Sequence, residues 1–107
     1  MKIKLAKEET IHFVGIGGIG MSGLALIMKG LGFRIQGSDI ANNKNIDRLR
    51  EKKINIFLDQ KRSNIKKSTI LVISSAIKKN NPEYKEARKK KIPIYKRGEV
   101  LGHIVSL

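Results

Sequence analysis

Ile11-His12-Phe13-Val14-Gly15-Ile16-Gly17-Gly18-Ile19-Gly20-Met21 decides the fold of this 107-residue chain. The apolar run that opens it has the length of a buried strand. Gly15, Gly17 and Gly20 then stand at the spacing G-x-G-x-x-G. Leu24, Ile27, Met28 and Leu31 follow at helical spacing. Strand, glycine turn and helix together form a phosphate-binding unit. The first glycine permits a tight turn, the second a close approach of phosphate to backbone, and the third close packing of helix on strand. The helix N-terminus adds unpaired N–H groups and a partial positive charge.

Working outward, Phe33-Arg34-Ile35-Gln36-Gly37 reads as a second strand that ends in Ser38-Asp39. Asp39 lies about 20 residues beyond the glycines, where dinucleotide folds carry a ribose-binding carboxylate. The first helix is expected from Gly18 to Lys29, with Gly30 and Gly32 suited to its C-terminal stop. An asparagine of Ala41-Asn42-Asn43-Lys44-Asn45 is available to cap a short second helix, whose apolar face is Ile46, Leu49 and Ile54. Ile54–Leu58 and Thr69–Ser74 read as the third and fourth strands; the fourth, nearly all apolar and β-branched, suits a central parallel position. Asn81-Pro82-Glu83 opens a helix with a cap, a proline and an acid, and Arg88 to Lys91 close it with cations, an order that suits the helix dipole. Ile92-Pro93-Ile94-Tyr95 is a fifth strand whose proline marks an edge or a strand start. Arg97 to Leu107 reads as a last helix that stops without a capping glycine, as if the chain were cut before an element it should connect to.

Strands alternate with helices through short loops, and no linker or repeat divides the chain. The expectation is one α/β domain over residues 1–107, a Rossmann-like parallel five-stranded sheet with helices on both faces. In such sheets ligands bind beyond the carboxyl ends of the strands. That selects Gly15 to Met21, Ser38-Asp39, and Ser74-Ser75-Ala76-Ile77.

The chain has 23 Lys and Arg against 9 Asp and Glu, a net charge of +14, and no cysteine. A disulfide framework and a thiolate metal site are excluded. No apolar run has the length of a membrane span, and the charged N-terminus lacks a signal-peptide core. The expected location is the cytoplasm, with no membrane partner. The cations are mostly lysines spread along the chain, without the interleaved aromatics of a single-strand binding platform, so no nucleic-acid partner is expected. The basic surface would help to attract a diphosphate.

No catalytic set is visible. H-E-x-x-H, G-x-S-x-G and G-x-x-x-x-G-K-[ST] are all missing from residues 1–107. His12 reads as a structural strand residue, with no acid at a spacing that suggests a dyad. Met21 and Met28 read as core. Ser74 and Ser75 lack a glycine elbow and read as hydroxyl donors to a ligand.

The segment G-I-G-G-I-G-M-S-G-L-A resembles the first glycine loop of the Mur ligases of peptidoglycan synthesis. Q-G-S-D at 36–39, I-S-S-A-I-K at 73–78, N-P-E at 81–83 and I-P-I-Y-K-R-G-E-V-L at 92–101 are similar to that family's later motifs in the same order. The resemblance runs from Ile11 almost to the end. It implies a domain that holds the UDP part of UDP-N-acetylmuramate. It also implies a whole enzyme that uses ATP and magnesium to activate the muramyl carboxylate, which L-alanine then attacks. The ATP and magnesium sites would lie in central and C-terminal domains outside this chain, which would bind neither cofactor and contain no catalytic residue. Carried over by position, the backbone of Gly17, Gly18, Ile19, Gly20 and Met21 would hold the diphosphate. Ser38 and Asp39 would lie near the uridine, Ser74, Ser75, Ala76 and Ile77 would line the other side, and Arg97 would precede the last helix. Asp59-Gln60 departs from the Asn-His that the family often has. An NAD-binding module of an oxidoreductase or regulatory protein is the alternative; it rests on the same glycines and on Asp39.

Overall fold

The computed structural model describes residues 3–106. Its elements follow in the order β1 (Thr10–Val14), α1 (Ile19–Gly30), β2 (Arg34–Ser38), α2 (Lys44–Glu51), β3 (Asn55–Phe57), a 3-10 turn (Arg62–Ile65), β4 (Ile70–Ile73), α3 (Pro82–Lys89), β5 (Ile94–Lys96) and α4 (Arg97–Val105). All five strands pair in parallel in the order β3-β2-β1-β4-β5. The α/β fold expected from the sequence is therefore present. The 3-10 turn was not foreseen. Pro93 sits just before the edge strand β5, where its missing N–H costs no ladder bond. Leu107, the expected end of the last helix, lies outside the described residues.

Strand alternation divides the core. Ile11 and Phe13 of β1, with Ile70 and Val72 of β4, face α1, α2 and α4. Val14, Leu71 and Ile73 face Ala87 of α3 and Ile65 of the 3-10 turn. Helices thus cover both faces, as a parallel sheet requires. Gly37 is where the first face closes most tightly. A Cβ there would stand 2.6 Å from Ile16 Cδ1 and 2.7 Å from the Phe13 carbonyl oxygen.

Three helices end in the same way. At α1 the Phe33 N–H reaches the Met28 carbonyl, at α2 Ile54 reaches Leu49, and at α3 Ile92 reaches Ala87. Each bond closes a Schellman turn, and each pairs two apolar residues across it. The left-handed residue is Gly32 at the first turn (φ 96°), but Lys53 (φ 62°) and Lys91 (φ 58°) at the others. Ile54 is thus buried by the turn after α2 and lies beyond the helix face to which its spacing assigned it. The two starts read from the sequence are in place: Asn43 Oδ1 accepts from the Ile46 N–H, and Asn81 Oδ1 from the N–H groups of Glu83 and Tyr84.

Candidate functional site

The strand order puts a topological switch between β1 and β4, the two strands from which the chain turns to opposite sides of the sheet. The glycine loop leaves β1 there. Gly15 takes a positive φ of 81°, which only glycine adopts freely. Its N–H and that of Ile16 both reach the carbonyl of Ser38 at the end of β2, at 2.8 and 2.9 Å. Gly17 is held on both sides: its N–H donates to Asp39 Oδ2 at 2.8 Å, and its carbonyl accepts from Asn45 Nδ2 at 2.9 Å. The Gly18 N–H turns back to the Gly15 carbonyl. After these anchors, the N–H groups of Ile19, Gly20 and Met21 open α1 with no acceptor among the described residues. They form a free N–H edge of the loop.

Arg97, the first residue of α4, lies against that edge. A Cβ on Gly20 would stand 3.0 Å from Arg97 Nε and 3.2 Å from Cζ. The third glycine of the motif therefore makes room for a guanidinium. The sheet order explains the juxtaposition: β5 pairs with β4, and α4 returns over the sheet to pack on α1.

Beside the loop opens a cleft of about 540 Å³, bounded by Gly15, Asp39 and Ile40 on one side and by Gln60, Asn81 and Pro82 on the other, with Ser74, Ala76 and Ile77 beneath. The turn after β4 is closed by the Ile77 N–H on the Ser74 carbonyl and by the Ala76 N–H on Ser74 Oγ. The structure thus gathers Gly15, Asp39, Ser74, Ala76 and Ile77 around one cleft and sets Ile19, Gly20, Met21 and Arg97 at the neighbouring helix end. Ser75 is exposed outside the cleft lining, and the Met21 side chain is buried in the core. Ser38 is 0% exposed; its carbonyl holds the loop and its hydroxyl is turned inward. Asp39 is committed as a loop anchor: besides Gly17, its Oδ1 accepts the Ala41 N–H at 3.0 Å.

Two features go beyond the sequence reading. Gln60, noted there only as a departure from the family pattern, lines the cleft in a fixed orientation. The α3 cap uses Asn81 Oδ1, so Asn81 Nδ2 donates to Gln60 Oε1 at 2.9 Å and leaves the Gln60 NH2 with no acceptor among the described residues. The second is a correction. His12 does have an acidic partner: its Nε2 lies 2.7 Å from Glu83 Oε1, with both side chains fully buried. The 71 residues between them hid the pair. The available signal was the polarity of His12, Gln36 and Ser38, which share one face of two buried strands and need partners there.

No helix among the described residues is long and apolar enough to cross a membrane, and no group of three or more His, Cys, Asp or Glu among them could hold a metal ion.

Comparison with known proteins narrows the reading. A family model described as "Mur ligase family, catalytic domain" matches residues 10–107. UDP-N-acetylmuramate--L-alanine ligase of Pelagibacter ubique is 67% identical over 107 residues, all of this chain and 23% of that protein. The ligase of the same name from Bartonella bacilliformis is 54% identical, over 98% of this chain and 22% of that protein. The crystal structure of the UDP-N-acetylmuramate-alanine ligase of Thermotoga maritima superposes with a TM-score of 0.88 at 33% identity, over 92% of this chain and 23% of that one. The chain therefore spans about a quarter of the length of the curated relatives it matches.

Proposed function

The chain belongs to the Mur ligase family, and we propose that residues 1–107 form the UDP-sugar-binding unit of a ligase that joins L-alanine to UDP-N-acetylmuramate in peptidoglycan synthesis. The observation that carries this reading is the pairing of two adjacent features. One is the free N–H edge of Ile19, Gly20 and Met21 with Arg97 laid against it, which suits a diphosphate. The other is the cleft beside it, about 540 Å³ in volume, whose Gln60 amide offers a donor to a ring carbonyl or a sugar hydroxyl.

In this arrangement the chain's own residues bind and orient. Gly15, Gly17 and Gly18 shape the loop, and Asp39 and Asn45 hold it so that its N–H edge is set before the anion arrives. Arg97 supplies the charge that the dipole alone gives only in part. Ser74, Ala76 and Ile77 form the floor, Ser75 lies outside the lining on the exposed side of the same turn, and Ser38 supports the loop from below. ATP and magnesium would supply the activation of the muramyl carboxylate as an acyl phosphate. The residues present do not fit that pair: at P-loop spacing Met21 stands where the lysine belongs, the Ser22 hydroxyl at the Ser/Thr position is buried and turned to the Ile19 carbonyl, and no carboxylate cluster among the described residues stands beside the loop. We assign those sites to other domains of the same polypeptide and the reaction to the cytoplasm.

The NAD alternative needs Asp39 for a ribose, so the carboxylate that anchors the loop through Gly17 and Ala41 would have to serve the sugar with its remaining lone pairs. Amide chemical-shift mapping on the labelled chain tests the proposal. UDP-N-acetylmuramate should perturb Ile19 to Met21, Gln60, Ser74 to Ile77 and Arg97 together. Perturbation scattered over the basic surface, with these residues silent, would overturn it.

A further inference from the structure

We propose that Glu83 is a positioning residue for this cleft: a buried carboxylate that ties the wall made by β2 and the glycine loop to the wall made by the start of α3. Glu83 Oε1 accepts from the Ser38 hydroxyl at 2.6 Å and from His12 Nε2 at 2.7 Å, and Oε2 accepts from Asn64 Nδ2 at 2.8 Å. Glu83 itself is 0% exposed. Through Ser38 it reaches the loop, because the Ser38 carbonyl takes the N–H groups of Gly15 and Ile16. On the other side it stands two residues after Asn81, which caps α3 and holds Gln60 at the cleft. One side chain thus fixes the separation of Gly15 and Asp39 from Gln60 and Asn81.

The protonation pattern follows from the donors. Gln36 Nε2 lies 3.0 Å from the Asn64 carbonyl oxygen, so that position must be the amide nitrogen. The same nitrogen lies 2.7 Å from His12 Nδ1, which must then be bare and accepting. The His12 proton sits on Nε2 and points at Glu83. The carboxylate therefore faces a neutral imidazole, a hydroxyl and an amide. No cation is among its partners in the described residues. Three donors and its place in the first turn of α3 keep the buried charge satisfied. Replacing one oxygen by NH2 would set donor against donor in either amide orientation, against Asn64 Nδ2 or against the His12 Nε2–H, so Glu83→Gln breaks the tie on one side or the other.

The placement of the walls is a property of the free protein; its use in substrate binding rests on the function proposed above. The test is amide hydrogen exchange on the 107-residue chain, with Ser38→Ala and Glu83→Gln as variants. Ser38→Ala cuts the link to the loop and leaves the His12 and Asn64 bonds intact. We expect Gly15 and Ile16 to exchange about fivefold faster, the equivalent of one lost buried hydrogen bond, while Phe13 and Val72 keep their rates. A merely structural role would speed all four together. Long-range nitrogen spectra of the wild type should show His12 protonated at Nε2 alone. Unchanged exchange at Gly15 and Ile16 in Ser38→Ala, uniform acceleration, or a proton on His12 Nδ1 would each overturn the proposal. If Glu83→Gln does not fold, Ser38→Ala decides. Selective acceleration in a chain that fails to bind UDP-N-acetylmuramate would sustain the tie and refute the ligand.

Discussion

Arg97 lies across Gly20, so that a single methyl group on the glycine would meet the guanidinium at 3.0 Å. The spacing of the glycine motif predicts close helix-strand packing at this position. In the structure the close neighbour is a side chain from the far end of the chain.

Gly20→Ala therefore separates stability from binding. Within a helix, alanine is favoured over glycine by roughly 1 kcal/mol. Arg97 is a flexible side chain and can give way. The variant should melt at or above the wild-type temperature, yet bind UDP-N-acetylmuramate about tenfold more weakly, a loss of about 1.4 kcal/mol. Parallel thermal melts and titrations check both halves.

Gly37 and Gly18 should respond in opposite ways to alanine. At Gly37 the new carbon would meet the Phe13 carbonyl and Ile16 Cβ at 2.7 Å, and neither has room to retreat. Overpacking of this kind costs about 1–3 kcal/mol. Gly18 has an ordinary φ of −64°, and its nearest neighbour would be 3.5 Å away. Gly18→Ala should leave denaturant stability almost unchanged, and its side chain would project from the exposed face of the loop.

Lys53 and Lys91 occupy left-handed positions that suit glycine. A non-glycine residue there costs roughly 1–2 kcal/mol, and glycine loses roughly 0.5–1 kcal/mol more chain entropy on folding. Lys91→Gly should therefore raise stability by about 0.5–1 kcal/mol, measured by urea unfolding. An unchanged or lower midpoint would contradict the Schellman assignment.

Asp59 carries the pH prediction. The Asn64 side chain donates to Asp59 and holds its carboxyl below the usual value, against partial burial and with help from Lys61. A carboxyl depressed on folding adds stability that is fully present above the unfolded carboxylate pKa and is lost as pH falls through the folded value. Asp59→Asn should therefore flatten the acid side of the stability curve below the ordinary carboxylate range. Near neutral pH the curve should keep its shape.

The fold was legible because its signals are local. The glycine spacing, the caps at Asn43 and Asn81, and the β-branched run at Ile70–Ile73 each fix an element within a few residues. The residues around the cleft were legible where they follow the strand ends, at Gly15, Asp39, Ser74, Ala76 and Ile77. What was hidden depends on distant contact. His12 and Glu83 meet only because the first turn of α3 reaches β1 and β2, and no spacing rule announces that. Glu83 read as a dipole acid, a sound local reason that concealed a buried role. Ser38 was singled out for its place at a strand end, which says nothing of the bond its hydroxyl makes to Glu83. Gln60 sits in a loop without periodicity, and its importance rests on the Asn81 amide that orients it.

Calorimetric titration of the 107-residue chain with UDP-N-acetylmuramate and, separately, NAD tests the central claim most directly. The proposed unit holds a diphosphate at the Ile19–Met21 edge and a nucleoside beside Gln60, so UDP-N-acetylmuramate should bind more tightly than NAD. Gly20→Ala should narrow the difference. Equal or tighter binding of NAD would contradict the account.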